Sequence, residues 1–192
     1  MTDLDGGTPV DGDEAAALIP GHIVTRGELN AWEQANILEA ATWAHRTRKV
    51  ALDETTIREL HRRMFDETWE WAGQYRRTDK NLGVPWPQIP ADVRNVIDDG
   101  RYWVEHRTFP IDEAAIRLHH RLVAIHPFPN GNGRHARLWC DLLLRQNGRP
   151  PISWRSKALD EEGDARRAYI QGLRRADQGD ITGLAELFLS DR

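Results

Sequence analysis

The stretch His126-Pro127-Phe128-Pro129-Asn130-Gly131-Asn132-Gly133-Arg134-His135-Ala136-Arg137 decides how this chain is read. It follows a helical pattern and opens another, Leu138 to Leu144, so the sequence predicts a loop running into a helix N-terminus. Pro127 and Pro129 hold His126 and Phe128 out of the α region, which makes the loop stiff and extended. Gly131 and Gly133 allow positive φ and a close approach of ligand to backbone that a Cβ would block. Successive N–H groups at such a turn, backed by the positive end of a helix dipole, form an anion site. Arg134 and Arg137 share one helix face and can both reach toward that site. Two fixed cations and a ring of amides suit a di- or triphosphate better than a carboxylate. His126 stands at the rim, where a base near neutral pH can take a proton from an incoming hydroxyl. Phe128 is expected to point the other way, into the core.

The composition narrows the setting. With 192 residues, 40% of them hydrophobic and eight of them Trp, the chain has the material for a single core and is not a disordered one. A formal charge of −4 offers no general attraction to nucleic acid or to an anionic membrane. Cys140 is the only cysteine, so an internal disulfide is excluded and a reducing compartment is expected. The acidic first residues lack a basic-then-apolar signal pattern, and no run is long enough for a membrane span. The expectation is a soluble, cytoplasmic protein.

Outward from the central stretch, helical spacing dominates. Residues 1–20, rich in Asp, Gly and Ala, are expected to be a loose arm with one turn near Asp13 to Leu18, and residues 21–192 a single domain. A capping box, Thr25 and Glu28, starts a helix to about Arg48, with Leu29, Trp32, Asn36, Ala40 and Trp43 on one face. Asp53 can cap a second helix that buries Ile57, Leu60, Met64 and Phe65, and Trp69 and Trp71 then pack at the core edge. From Tyr75 to Pro90, Gly83, Pro85, Pro87 and Pro90 break the rhythm. Pro90 opens a helix through Val104, and Pro110 with Asp112 opens one burying Ala115, Leu118, Leu122 and Ile125. His119 and His120 have no acidic or thiol partner at ligand spacing and point apart, so a hydrogen-bonded core histidine is expected there and not a zinc site. Pro150-Pro151 stop the helix that the central stretch opens. Two more helices, near Asp160 to Asp177 and Asp180 to Leu189, complete an all-α bundle with one irregular segment.

The pattern His-Pro-Phe, then Gly-Asn-Gly-Arg and Arg137, resembles the signature of Fic (Fic/Doc) domains; its one departure is Asn130, where the family usually has an acidic residue. Trp71-Ala72-Gly73-Gln74-Tyr75-Arg76 is similar to the lead into that family's flap, and Arg166 to Asp180 to its C-terminal helix. The wording of Thr25-Arg26-Gly27-Glu28-Leu29 and His119-His120-Arg121-Leu122 is most similar to the branch called mobile mystery protein B. The resemblance implies a small β-hairpin flap, Lys80, Asn81, Leu82 and Gly83, that aligns a target segment by strand pairing. It implies a protein adenylyltransferase moving AMP from ATP to a Ser, Thr or Tyr hydroxyl of a target protein. His126 would be the base, Asn130 a ligand to Mg²⁺, and Gly131, Asn132, Gly133, Arg134 and Arg137 the phosphate holders. Other Fic activities (phosphotransfer, another nucleotide, removal of AMP) and a nucleotide-binding module without turnover stay open, the last because of Asn130. Many Fic domains carry an inhibitory Glu that pairs with the last Arg of the signature. Thr55/Glu59 and Thr182/Glu186 have its spacing but Leu60 and Leu187 at the next position, and Glu33 is a third candidate. A separate inhibitory or helix-turn-helix partner protein is the alternative, and a toxin-like role would fit it.

Overall fold

A computed structural model describes residues 16–23, 25–154 and 163–190, with Gly12 and Leu159 besides. Among them are seven α-helices: α1 Arg26–Arg46, α2 Glu54–Phe65, α3 Ile89–His106, α4 Ile111–Ile125, α5 Asn132–Gln146, α6 Asp164–Ala176 and α7 Thr182–Leu189. A 3₁₀ turn, Trp86–Gln88, leads into α3. The sequence-level caps are present. Thr25 and Glu28 form the full capping box of α1, and the Asp53 carboxylate accepts the Thr55 N–H at the start of α2. Pro90 lies in the first turn of α3, and Asp112 and Glu113 in that of α4, where the helix dipole favours them.

Helix α5 is the centre of the bundle, packing against α4, α2 and α1, while α6 and α7 close the far side against α4. Its buried face, with Trp139, Leu142 and Leu144, meets Ile57, Leu60 and Phe65 of α2 and Ile116, Leu118 and Leu122 of α4. Helix α1 is different. The residues it buries include Glu33 and Asn36 beside Ala40 and Ala44, so part of its docking is polar: Thr68 donates its hydroxyl to Asn36 at 2.8 Å. His119 is buried with its Nε2 at 2.9 Å from the Tyr169 hydroxyl, as expected of a core histidine.

Three expectations need amendment. The central helix begins at Asn132 and not near Leu138, because the glycines that read as loop are its N-cap and first turn. Residues 77–85 contain no paired strands; the sole bridge among the described residues joins Leu18 and Trp69. The expected hairpin flap is therefore a looped segment, whose backbone groups are taken by a side chain and by the turn at His126 instead of by a sister strand. The expected arm lies mostly outside the described residues, but its end is pinned: Ile19 donates to Thr68 O at 2.9 Å and Glu70 to Ala17 O at 3.0 Å. The first residues of the helix expected from Asp160 also lie outside the described residues.

Candidate active site

The signature loop is shaped by side chains that bind backbone. Asn132 Oδ1 accepts the Phe128 N–H at 2.9 Å while its Nδ2 donates to Phe128 O at 2.8 Å. This two-way clasp holds Phe128 inside, fully buried and stacked on His61 at 3.7 Å between centroids. His61 reaches in from α2. Its Nδ1 accepts the Gly73 N–H at 3.0 Å, so Nε2 carries the proton and donates to Asn130 O at 3.1 Å. Burial, then His135 nearby, pushes its pKa well below the ordinary histidine value, which keeps this tautomer neutral. His135 completes the layer by donating from Nε2 to Ile57 O at 2.9 Å. Sequence spacing gives no hint of the His61 clasp, because its partners lie 12 and 69 residues away.

Gly131 has φ +77°, and a Cβ there would sit 2.4 Å from Phe65 Cζ, so only glycine fits. Gly133 is helical, contrary to the expectation of positive φ; a Cβ on it would meet only Arg137 Nη1, at 3.9 Å. The first intrahelical bond of α5 runs from His135 N to Gly131 O at 2.9 Å. The amides of Asn132, Gly133 and Arg134 therefore precede any acceptor in the helix, and Gly133 and Arg134 are partly exposed. This is an open, positively polarised helix end. The Gly131 amide is not part of it, since it donates to Asn130 Oδ1 at 2.5 Å. Asn132 contributes backbone only, its side chain being spent on Phe128.

The two arginines are set differently. Arg137 is buried, near Gly133, with its guanidinium hydrogen-bonded to the Tyr169 hydroxyl that His119 also meets. Arg134 lies over the Phe65 ring at 5.1 Å and is paired with Glu33 of α1 at 2.8 Å. Glu33 is 5% exposed, and its other oxygen accepts the Trp69 indole N–H at 2.8 Å. Of the three candidate inhibitory glutamates, Glu33 touches the signature, where it meets the first arginine of the pair. Glu59 is taken by Arg62 and Arg63.

His126 is 8% exposed and left-handed, φ 54° and ψ 59°. Burial, then the Arg76 charge, pushes its pKa down to about 4, against a hydrogen bond to the Val123 carbonyl that raises it; Lys80 adds to the lowering. A ring N–H given to Val123 leaves the other nitrogen as acceptor, so the ring is a neutral base with a set tautomer. Above it lies the looped segment. Gly83, φ +97°, is so close that a Cβ would fall 2.7 Å from His126 Cβ. Asp79 Oδ1 closes the loop by accepting the Trp86 N–H at 2.8 Å, and Leu82 and Trp86 face solvent. Gly83 thus stands against His126, and Arg137 beside Gly133 at the helix end into which the same loop runs.

The described helices form an all-α bundle in which a neutral histidine ends one helix and a glycine-opened N-terminus begins the next. Residues 51–144 match the model of the Fic/DOC family, and the chain belongs to that family. It is 30% identical over 174 residues to a Nematostella vectensis protein named protein adenylyltransferase Fic, covering 88% of this chain and 38% of that one. The Drosophila melanogaster protein of that name is 33% identical over 138 residues, 69% of this chain and 26% of that one. The chain thus spans well under half the length of these curated relatives. Among solved structures, the fold is shared with the Bartonella tribocorum effector BepC with bound AMPPNP, at TM-score 0.69 and 19% identity, covering 92% and 96% of the two chains. It is shared too with a Desulfovibrio desulfuricans Fic family protein, at TM-score 0.67 and 24% identity, covering 91% of this chain and 54% of that one. No helix among the described residues is long and apolar enough to cross a membrane.

Proposed function

We infer that this domain transfers AMP from ATP to a hydroxyl side chain of a target protein. The observation that carries the reading is His126, held neutral and buried at the head of the loop that runs into an open helix N-terminus bearing two arginines. His126 accepts the proton of the target hydroxyl. The hydroxyl oxygen bonds to the α-phosphorus, the bond from that phosphorus to the bridging oxygen breaks, and pyrophosphate leaves. The amides at Gly133 and Arg134 hold phosphate oxygens, and Arg134 and Arg137 hold the departing β/γ end. The looped segment Lys80, Asn81, Leu82 and Gly83 presents the target backbone beside His126. The adenylyltransferase names of the relatives, and the ATP analogue held by BepC, support ATP as donor.

Mg²⁺ fits this site only as an ion carried by the nucleotide. The one side-chain oxygen in the loop of residues 126–131 is Asn130 Oδ1, which already accepts the Gly131 N–H and has one lone pair left. Among the described residues no cluster of His, Cys, Asp and Glu could hold a metal ion alone. When bound, the ion would neutralise charge between the α- and β-phosphates. The lone Cys140, buried in the core, supports a reducing, cytoplasmic setting.

A second reading, a nucleotide-binding module without turnover, draws on the Glu33 clasp of Arg134 and on Asn130. Incubation of the protein and a cell lysate with ATP labelled at the α or the γ position separates them. Protein labelled from α only supports AMP transfer. Label from γ only means phosphotransfer, and ATP binding with no label on protein means a binding module.

A further inference from the structure

A helix C-terminus leaves carbonyls without intrahelical partners, and a left-handed residue after it is usually glycine. After α4 the left-handed residue is His126, whose Cβ makes that conformation cost about 1–2 kcal/mol. What holds it comes from one side. Arg76 N–H donates to Pro127 O at 2.9 Å, Arg76 Nε to His126 O at 2.7 Å, and Val84 N–H to Ile125 O at 3.3 Å. Arg76 Nη2 lies 3.4 Å from Ile125 O as well. Three successive carbonyls of the base's turn therefore end on residues 76 and 84.

The same guanidinium binds the looped segment from within. Nη1 donates to Thr78 O at 2.8 Å and Nη2 to Val84 O at 2.5 Å. The Arg76 side chain is 0% exposed, and Asp79, a carboxylate paired with it, is 3.8 Å away and 68% exposed. Carbonyl dipoles answer the guanidinium charge, including those at the negative end of α4. A planar guanidinium can serve carbonyls in this spread of directions; an ammonium with three donors at one point cannot. Gly83 seals the arrangement, since a Cβ there would strike both Arg76 Nη2 and His126 Cβ at 2.7 Å.

We propose that Arg76 is the positioning residue of this site: its guanidinium holds His126 in its left-handed turn and ties the target-presenting loop to it. Base and loop then form one rigid frame. The proposal rests on the AMP-transfer reading for its kinetic consequence, but not for its structural one.

The test compares Arg76→Lys and Arg76→Gln with the wild-type protein. Four readings are taken: amide hydrogen exchange of residues 77–84, the NMR titration of the His126 imidazole, ATP affinity, and kcat and KM for the modified target. The charged groups that lower the His126 titration are Arg76 and Lys80 of the loop, while the Val123 carbonyl of its own helix raises it. Both variants should speed loop exchange by about tenfold or more. The Gln variant should also move the His126 titration up from about 4, because the cation is gone, and the Lys variant should leave it low. Both should lower kcat by at least roughly tenfold while ATP affinity stays within about twofold. Unchanged loop exchange in both variants, or full kcat with a loosened loop, overturns the proposal. Should Arg76→Gln fail to fold, Arg76→Lys decides by exchange and kcat. If the wild-type protein transfers no AMP, the reaction reading fails, and exchange and titration still decide whether Arg76 holds the turn.

Discussion

Replacing Glu33 with Gln should tighten ATP binding. Glu33 occupies Arg134 at 2.8 Å, so a polyphosphate arriving at the α5 N-terminus competes with a carboxylate for that cation. Two unit charges at such range attract by about 4 kcal/mol at an effective dielectric constant of 20. Desolvation of the buried carboxylate offsets part of this, and the Arg134 side chain is 23% exposed, which admits water. A net gain of roughly 1–2 kcal/mol on release corresponds to about five- to thirtyfold in affinity. Gln is the right substitute because its amide oxygen can still accept the Trp69 indole N–H, so the docking of α1 survives. The assay is calorimetric titration with a non-hydrolysable ATP analogue, with pyrophosphate and adenosine in parallel. Pyrophosphate should gain as much as the ATP analogue, and adenosine nothing. An unchanged or weaker affinity for the ATP analogue in a folded variant would refute the idea that Glu33 holds Arg134 away from phosphate.

Other outcomes follow from single features. Gly133→Ala meets no protein atom closer than 3.9 Å, so it should keep or raise stability by about 0.5–1 kcal/mol while weakening ATP binding by roughly tenfold or more; thermal melts with titration check both, and intact ATP binding would mean that no ligand uses that space. Asn130→Asp keeps an acceptor for the Gly131 N–H and adds charge, so the Mg²⁺ midpoint of transfer should fall about tenfold. An unmoved midpoint makes Asn130 a turn-former only. Acid should destabilise the fold. The pKa values of His126 and His135, about 4 when folded, lie below the unfolded value, so the unfolded chain binds more protons as pH falls from 6.5 toward 4. At pH 5 that costs up to about 2 kcal/mol for each. Urea midpoints at pH 7 and pH 5 test it, and equal midpoints would contradict the burial of neutral histidines.

Much of the bundle was legible because its signals are local. Thr25 with Glu28, Asp53, Pro90 and Asp112 each mark a helix start within a turn of the residue concerned, and all four stand where a start was read. The α5 start was misplaced because Gly131 and Gly133 lower helix propensity just where a ligand-facing N-terminus needs small residues. Helix α1 has almost no amphipathic periodicity that would single out Glu33; only the fold brings Glu33 to Arg134, 101 residues away. Likewise Arg76 could be seen as part of a motif, but not that it would replace strand pairing in the segment that follows. Long-range clasps of backbone by side chain leave no periodicity to read.

The central claim is that His126 takes the proton of the hydroxyl that receives AMP. Its most direct test is transfer of label from α-labelled ATP to protein by the wild-type chain and by His126→Ala, with ATP affinity measured on both. The account predicts a loss of at least roughly a hundredfold in labelled product, with affinity nearly unchanged. Equal labelling by the two proteins would contradict it and place the base elsewhere.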